Sequence, residues 1–303
     1  MHIKMNNDLP ENLISIAKKK SKTSVAIVCA HEFSALQSAK EAYELDLINP
    51  IFIGNKNEIQ KEAEKLNWNI NNFDIIKEEN EYESAIKAAK LAKDDFIKVI
   101  VKGNLHTDIL MRAYLKKEFN LIQGKRLSHI WHMTVKKDDK PIFITDGALN
   151  VLPRIDIKMN ILTNAIEFTK KIGIVKPRVA VLSGTEDPID SMPSSVEAKE
   201  IMKRAIKENI DAFVHGPLAF DNAVSIEAAK IKNISGEVAG KADILLVPNL
   251  ETGNALCKIM VHFMGACAAG IVVGGKVPVV VASRADNVNS RLASIAASVI
   301  SAH

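Results

Sequence analysis

Two doubly wound α/β domains are what the order of apolar patterns predicts for this chain. Three observations carry that expectation. Short runs of β-branched residues alternate with longer amphipathic stretches, which is βαβα punctuation. The short runs are apolar at nearly every position, as in strands covered by helices on both faces of a mainly parallel sheet. Finally, 303 residues at 47% hydrophobic content are enough to bury one large core or two smaller ones.

In chain order, "SVAIVCA" (24–30) reads as a strand, 32–47 as a helix, "PIFIG" (50–54) as a strand and 56–66 as a helix. "IKVIVKG" (97–103) and the stretch 105–118 repeat the pair. "LSHIWHMTV" (127–135) is strand-like, and the segment around 137–153 then interrupts the alternation with charge, two prolines and a glycine. A domain boundary is expected there. The second half resumes with "RVAVLSG" (178–184), a helix over 195–207, "DAFVHG" (211–216), a helix over 222–231, "DILLVP" (243–248) and a helix over 254–264. "KVPVVVASR" (276–284) reads as a last strand, and Val288, Leu292, Ile295 and Val299 share one face of a closing helix.

Charge and cysteine usage narrow the function. Lys plus Arg outnumber Asp plus Glu by only 40 to 36 and aromatic residues make up 5%, so neither a nucleic-acid stripe nor a stacking platform is expected. A small anionic substrate suits the mild positive excess. Cys29, Cys257 and Cys267 are scattered inside apolar segments, which reads as packed, reduced thiols and a cytoplasmic protein. "MHIKMNNDLPENL" has no apolar core and no window is long and apolar enough to span a bilayer, so no export and no membrane are expected.

In doubly wound sheets the ligand lies beyond the carboxyl ends of the strands. Polar clusters follow strands at "KGNLHTD" (102–108), "SGTEDP" (183–188), "HGPLAFDN" (215–222), "PNLETGN" (248–254) and "SRADN" (283–287). Turn and cap chemistry accounts for much of this, since Gly, Pro, Asn and Asp punctuate any βα unit. Ser283 with Asp286 also fits the Ser-x-x-acid pattern of a capping box. A capping box gives no role to Arg284, however. A guanidinium at the end of a buried strand and beside a helix N-terminus attracts anions.

Other chemistries lack their signatures. No two of the fourteen glycines are spaced Gly-x-Gly, so no dinucleotide fingerprint can be drawn. "GIVVGGKV" (270–277) imitates a phosphate loop, but Val277 stands where Ser or Thr would bind the metal and a strand rather than a helix is expected to follow. "HIWH" (129–132) places its histidines on opposite faces of a strand, which is poor geometry for a metal pair. His215 ends a strand before a Gly-Pro turn and reads as a hydrogen-bonded structural histidine before a catalytic one.

"HGPLAFDNAVSIEAAKIKNISGEVAGKADILLVPNLETGNALCK" (215–258) followed by "AAGIVVGGKVPVVVASRADNVNSRLASIA" (268–296) closely resembles the phosphate acetyl/butyryltransferase family. The likeness extends to "AKEAYELDLINPIFIG" (39–54), "VKGNLHTDILMRA" (101–113) and "SMPSSVEAKE" (191–200). It implies the reaction acyl-CoA + phosphate ⇌ acyl phosphate + CoA on a short acyl chain, with CoA and phosphate as substrates and no obligatory metal or redox cofactor. It further implies an isocitrate/isopropylmalate dehydrogenase-like fold, in which two α/β domains flank a cleft. Domain one would take 1–139 plus 270–303 and domain two 140–269. Homo-oligomers built from dimers are expected, and the apolar stretch "MVHFMGACAAGIVV" (260–273) supplies a candidate surface.

On this resemblance Arg284 is the catalytic guanidinium that clamps phosphate and stabilises developing charge. Ser283 is the hydroxyl that donates to the thioester oxygen or departing sulfur. Arg112, matching the family's Thr-x-x-x-x-Arg helix opening with Thr107, joins Asn254 and Asp286 as phosphate or CoA contacts. One departure concerns the base: phosphate acetyltransferases place an aspartate seven positions beyond the serine, and here that position is Ser290. The competing readings are a metal-dependent NAD(P) 2-hydroxyacid dehydrogenase of the same fold and a catalytically silent acyl-CoA-binding protein.

Overall fold

The computed structural model describes residues 8–136, 140–282 and 286–303. The chain is α/β and forms two compact units. The first takes 8–125 and again Cys267–His303; the second takes Arg126–Val135 and 140–266.

The first unit opens with α1 (Glu11–Lys18), β1 (Thr23–Val28), α2 (Phe33–Glu44), β2 (Ile48–Gly54), α3 (Lys56–Lys65), β3 (Ile75–Lys77), α4 (Glu81–Lys93), β4 (Val99–Lys102) and α5 (Thr107–Tyr114). The second unit contains β5 (Ser128–Thr134), β6 (Ile142–Thr145), α6 (Ile155–Lys171), β7 (Arg178–Leu182), α7 (Pro193–Lys207), β8 (Phe213–Leu218), α8 (Phe220–Val224), α9 (Ile226–Ile231), β9 (Ile244–Leu246) and α10 (Leu250–Met264). The chain then returns to the first unit through β10 (Cys267–Val273), β11 (Val279–Val280) and α11 (Val288–Ala302).

Strands of the first unit run in the order β3-β2-β1-β4-β11-β10, parallel except for β10, which is antiparallel to β11. Registry is set by the apolar runs: Val25 lies opposite both Pro50 and Val99, and Val279 opposite Ile100. β4 is buried at every position, as a strand with helices on both faces must be. Strands of the second unit run β5-β6-β9-β7-β8, with only β5 and β6 antiparallel.

The glycine-rich "GIVVGGKV" is a strand and turn, not a phosphate loop: β10 ends at Val273, Gly274 takes φ +94° and β11 follows. Of the strand expected over 276–284, Val279 and Val280 are the residues that form β11 among those described; 283 and 284 lie outside the described residues. Tyr114 pins the approach to it, donating from its hydroxyl to the Val277 carbonyl at 2.7 Å and accepting the Val277 N–H at 3.3 Å. α11 is buried on all sides from Ser290 to Ile300, not only on the predicted face, and Val288 is only half-buried. Leu292, Ile295 and Val299 are buried, each contributing roughly 1.5–3 kcal/mol of apolar burial, and the helix packs on β10 and α2. The helix expected over 222–231 is two helices, broken at Ser225, whose hydroxyl accepts the Ala228 N–H to start the second.

Candidate active site

In the first unit the carboxyl ends of β2, β1 and β4 carry close-packed turns. Cys29 takes φ +53°, and Gly103 lies so near that a Cβ there would sit 2.4 Å from the Cys29 carbonyl oxygen and 2.6 Å from that of Val28. Only glycine fits that approach. Around these turns stand polar groups. His31 Nε2 meets Asn104 Nδ2 at 3.1 Å, and its Nδ1 lies 3.7 Å from Glu58. Lys102 is buried and donates to the Gly103 carbonyl at 3.2 Å. Burial pushes the Cys29 thiol up to about 11.

α5 opens beside this edge. The His106 N–H and ring Nδ1 both meet Glu81 Oε2, at 3.0 and 3.1 Å, and Thr107 is the exposed first residue of the helix. Arg112 lies one turn on; its side chain is 75% exposed and pairs with Asp108 four residues earlier. The structure therefore places Arg112 as a solvent-facing cation on the helix that follows β4.

Ser283 and Arg284 lie outside the described residues. α11 is capped by Asn287, whose side chain accepts the Ser290 N–H at 2.8 Å. This corrects the capping box: α11 begins at Val288, so the cap falls on Asn287, not on Ser283 with Asp286. Asp286 is half-buried just outside the helix, and its carbonyl accepts from Arg291 Nε at 3.4 Å. Ser290, at the family's aspartate position, is buried in the seam with β10, where its hydroxyl accepts the Ala268 N–H at 3.3 Å. A side chain so placed is a packing element, and no carboxylate stands there.

The second unit carries its own strand-end cluster. Asp146, directly after β6, is buried and accepts from the N–H groups of His129, Ala148 and Leu149 at 2.9–3.0 Å and from Asn150 Nδ2 at 2.7 Å. Asn150 in turn accepts from Arg126 Nε at 3.1 Å. The turn so fixed presses on α10: a Cβ at Gly147 would lie 2.6 Å from the Gly253 carbonyl carbon and 2.8 Å from the Asn254 nitrogen. Asn254 donates to the Gly147 carbonyl at 3.3 Å, and Asn249 caps the helix by accepting from the Thr252 N–H at 2.9 Å. Asn254 thus sits half-buried in the first turn of α10, held to the Asp146 turn.

The histidines of β5 and β8 are held in their neutral form. His129 and His132 are both buried, and desolvation pushes each down to about 4, with the Asp146 charge opposing the shift at His129. His215 is lowered by burial and then by Lys199. Among the described residues no group of three His, Cys, Asp or Glu is arranged to hold a metal ion, and no helix is long and apolar enough to cross a membrane.

Sequence reasoning passed over Arg291, Glu32 and the Asp146–Asn150 pair. The signal for Arg291 was present: it is the single charged residue in α11. Nothing local marks Asp146, because its donors converge from β5 and from its own turn only in the fold.

Residues 73–299 match the family described as "Phosphate acetyl/butaryl transferase". The chain is 41% identical to a phosphate acetyltransferase of Rickettsia felis over 271 residues, covering 89% of this chain and 78% of that protein. It is 36% identical to the phosphate butyryltransferase of Clostridium acetobutylicum, covering 94% of this chain and 95% of that one. Among solved structures it resembles a branched-chain phosphotransacylase from Enterococcus faecalis V583, with a TM-score of 0.83 and 32% identity over 93% of this chain and 99% of that one. A match of this length and identity settles the family: the chain belongs to the phosphate acetyl/butyryl transferases.

Proposed function

We propose that this protein interconverts acyl-CoA and phosphate with acyl phosphate and CoA, on a short-chain acyl group, at a site carried by Ser283 and Arg284. The observation that carries this reading is the similarity to phosphate acetyl- and butyryltransferases over most of the chain, which makes the protein an acyltransferase. The same finding favours acyl transfer over a dehydrogenase or a silent acyl-CoA binder.

In the forward direction a phosphate oxygen attacks the thioester carbonyl carbon, the C–O bond forms, the C–S bond breaks, and CoA leaves as a thiolate that takes up a proton. The nucleophile and the developing oxyanion are both negative, so a guanidinium that holds phosphate and disperses the new charge is the group this chemistry needs. Arg284 takes that role. Ser283 donates a hydrogen bond to the thioester oxygen or the departing sulfur. Direct attack is supported over a covalent acyl-cysteine, because burial holds the Cys29 and Cys267 thiols up at about 11, far from the thiolate form that attacks carbonyls. Arg112, Thr107 and Asn254 are assigned to phosphate and CoA binding.

Acyl-CoA synthesis runs the other way and requires a base for the CoA thiol. Ser290 cannot supply it. With Asn287 identified as the helix cap, Asp286 is released from that role and becomes the proposed base.

The two units are read as domains flanking a cleft, in the manner of isocitrate/isopropylmalate dehydrogenases. A homo-oligomer built from dimers is supported by Ile259, Phe263 and Met264, exposed apolar residues at the end of α10, whereas the β10 half of the candidate stretch is buried. Three free, buried cysteines support a cytoplasmic setting; that no resident cofactor is needed follows from the family resemblance alone.

The test is thiol release from acetyl-, propionyl- and butyryl-CoA with and without phosphate. Phosphate-dependent release of CoA supports the reading and ranks the acyl chains. No release with any of the three would refute it.

A further inference from the structure

We propose that Arg126 is a pre-organised phosphate-binding guanidinium of the second unit, and that it takes a phosphate group of CoA rather than inorganic phosphate. The inference rests on the proposed acyl transfer between CoA and phosphate, and the observations that carry it lie around the Asp146 turn.

Arg126 opens the second unit just before β5, and it is exposed. It is nevertheless held at three points. Its N–H donates to Asn160 Oδ1 at 3.2 Å and its carbonyl accepts from Asn164 Nδ2 at 2.8 Å, so α6 fixes the backbone on both sides. The third point is Nε, which donates to Asn150 Oδ1 at 3.1 Å. Asn150 is itself locked, because its Nδ2 hydrogens go to the Leu127 carbonyl at 2.9 Å and to Asp146 Oδ2 at 2.7 Å. With both amide hydrogens spent on acceptors, Oδ1 is the atom left to face Arg126. Asn150 and Asp146 are 6% and 2% exposed, so the network behind the guanidinium is shielded from water, where such bonds are strongest.

What remains of the fork is its outer edge. A guanidinium has five N–H donors, and Asn150 takes the one on Nε; among the described residues no acceptor meets Nη1 or Nη2. Arg112, Arg204 and Arg291 differ, each spending a terminal nitrogen on a carboxylate, of Asp108, Asp156 and Glu32 respectively. Nη1 and Nη2 together present two parallel N–H bonds that match two oxygens of a phosphate group. A fork held at its base by a buried network and open at its tip has met much of the ordering cost of binding in advance.

Both substrates of the forward reaction carry phosphate. Inorganic phosphate is the nucleophile, and its site gains strength by excluding water. A phosphate of CoA takes no part in bond making and needs only a clamp at an open rim, which an exposed Arg126 supplies. The Asp146 turn gives a further link to the substrates: it presses on α10 through Gly147, whose carbonyl accepts from Asn254, a residue already assigned to CoA or phosphate binding. One buried carboxylate thus holds both groups.

The experiment uses the full chain as the parent, Arg126→Ala, Arg126→Lys and Lys61→Ala, the last removing the same charge from an exposed position in α3. Isothermal titration calorimetry measures binding of CoA and of dephospho-CoA, which lacks the 3′-phosphate, and steady-state kinetics gives the KM for butyryl-CoA and for phosphate. Arg126→Ala should remain folded, bind CoA about tenfold more weakly and raise the KM for butyryl-CoA in parallel, as expected for one lost charge-assisted pair, with the KM for phosphate within twofold of the parent's. Arg126→Lys should stay nearer to Arg126→Ala than to the parent, because an ammonium lacks the fork. Equal losses for CoA and dephospho-CoA place the contact on the diphosphate, and a loss confined to CoA places it on the 3′-phosphate. CoA affinity of Arg126→Ala within twofold of the parent's, a loss equalled by Lys61→Ala, or a rise in the KM for phosphate instead, overturns the proposal. A parent that binds CoA but releases no thiol in the presence of phosphate defeats the proposed function, while the binding comparison still decides the role of Arg126; a parent that binds no CoA overturns both.

Discussion

Replacing Gly147 by alanine adds one methyl group where two backbones already touch. The new Cβ would stand 2.6 Å from the Gly253 carbonyl carbon, 2.6 Å from Trp131 Cζ3 and 2.8 Å from the Asn254 nitrogen. Ordinary carbon contacts lie at about 3.5–4.0 Å, so the first turn of α10 must retreat by close to an ångström or the Asp146 turn must open. The turn resists, because Asp146 holds four donors. The helix end is the element that yields, and the Asn254 bond to the Gly147 carbonyl is lost with it. Overpacking of this kind costs about 1–3 kcal/mol. For a chain of this size that corresponds to a thermal midpoint lower by roughly 2–5 °C. Scanning calorimetry measures that shift, and the KM for CoA reports the displacement of Asn254, which should raise it. A Gly147→Ala protein with unchanged midpoint and unchanged KM would show that the close approach of Gly147 and Gly253 is not a constraint.

Acid should weaken the fold through His129 and His132. Both are held neutral, with folded values of about 4 against 6.5 for the free side chain, so the unfolded state binds more protons between those limits. Their contribution is complete above pH 6.5 and declines as pH falls toward 4, the loss reaching roughly 2 kcal/mol for each at pH 5. Urea unfolding of the parent and of His132→Gln at pH 7.5 and 5 checks this, since the variant should lose less stability over the interval; equal losses would contradict it. Asn287→Ala should cost about 1 kcal/mol by removing the α11 cap, whereas Asp286→Asn should leave helix stability unchanged. Asp286→Asn should instead slow acyl-CoA synthesis and recover as pH passes the thiol pKa of about 8.5, because solvent hydroxide can replace a base. Impairment without pH recovery would remove Asp286 from the mechanism.

The fold was most legible where burial is apolar and complete. β1, β4 and β9 announce themselves as β-branched or leucine runs, and α11 by its spacing of Val288, Leu292, Ile295 and Val299. α6 was missed because its buried face includes Lys158, Asn164 and Thr169, which break an apolar period; Lys158 is compensated by Glu197 at 2.5 Å, a partner 39 residues away. α4 was missed because alanines 85, 88, 89 and 92 make its buried face, and alanine is a weak hydrophobic signal. β3 has three half-buried or exposed residues and no pattern to read.

At the proposed site, the rule that ligands gather beyond strand ends selects the turns and the resemblance supplies the residues, while Ser283 and Arg284 themselves lie outside the described residues. The true cap of α11 was misread because Asn287 and Asp286 are both good cap residues and only the helix start decides between them. Arg291 and Glu32 are 259 residues apart, so their pairing belongs to tertiary structure alone.

Phosphate-dependent thiol release from butyryl-CoA, measured for the parent, Arg284→Ala and Arg284→Lys at matched folded concentration, tests the assignment of the reaction and of its guanidinium together. The parent should release thiol only when phosphate is present. Arg284→Ala should lose roughly a hundredfold or more with its thermal midpoint intact, and Arg284→Lys should recover little, because a point charge does not reproduce a bidentate fork. An Arg284→Ala enzyme within threefold of the parent, or a parent equally active without phosphate, would contradict the account.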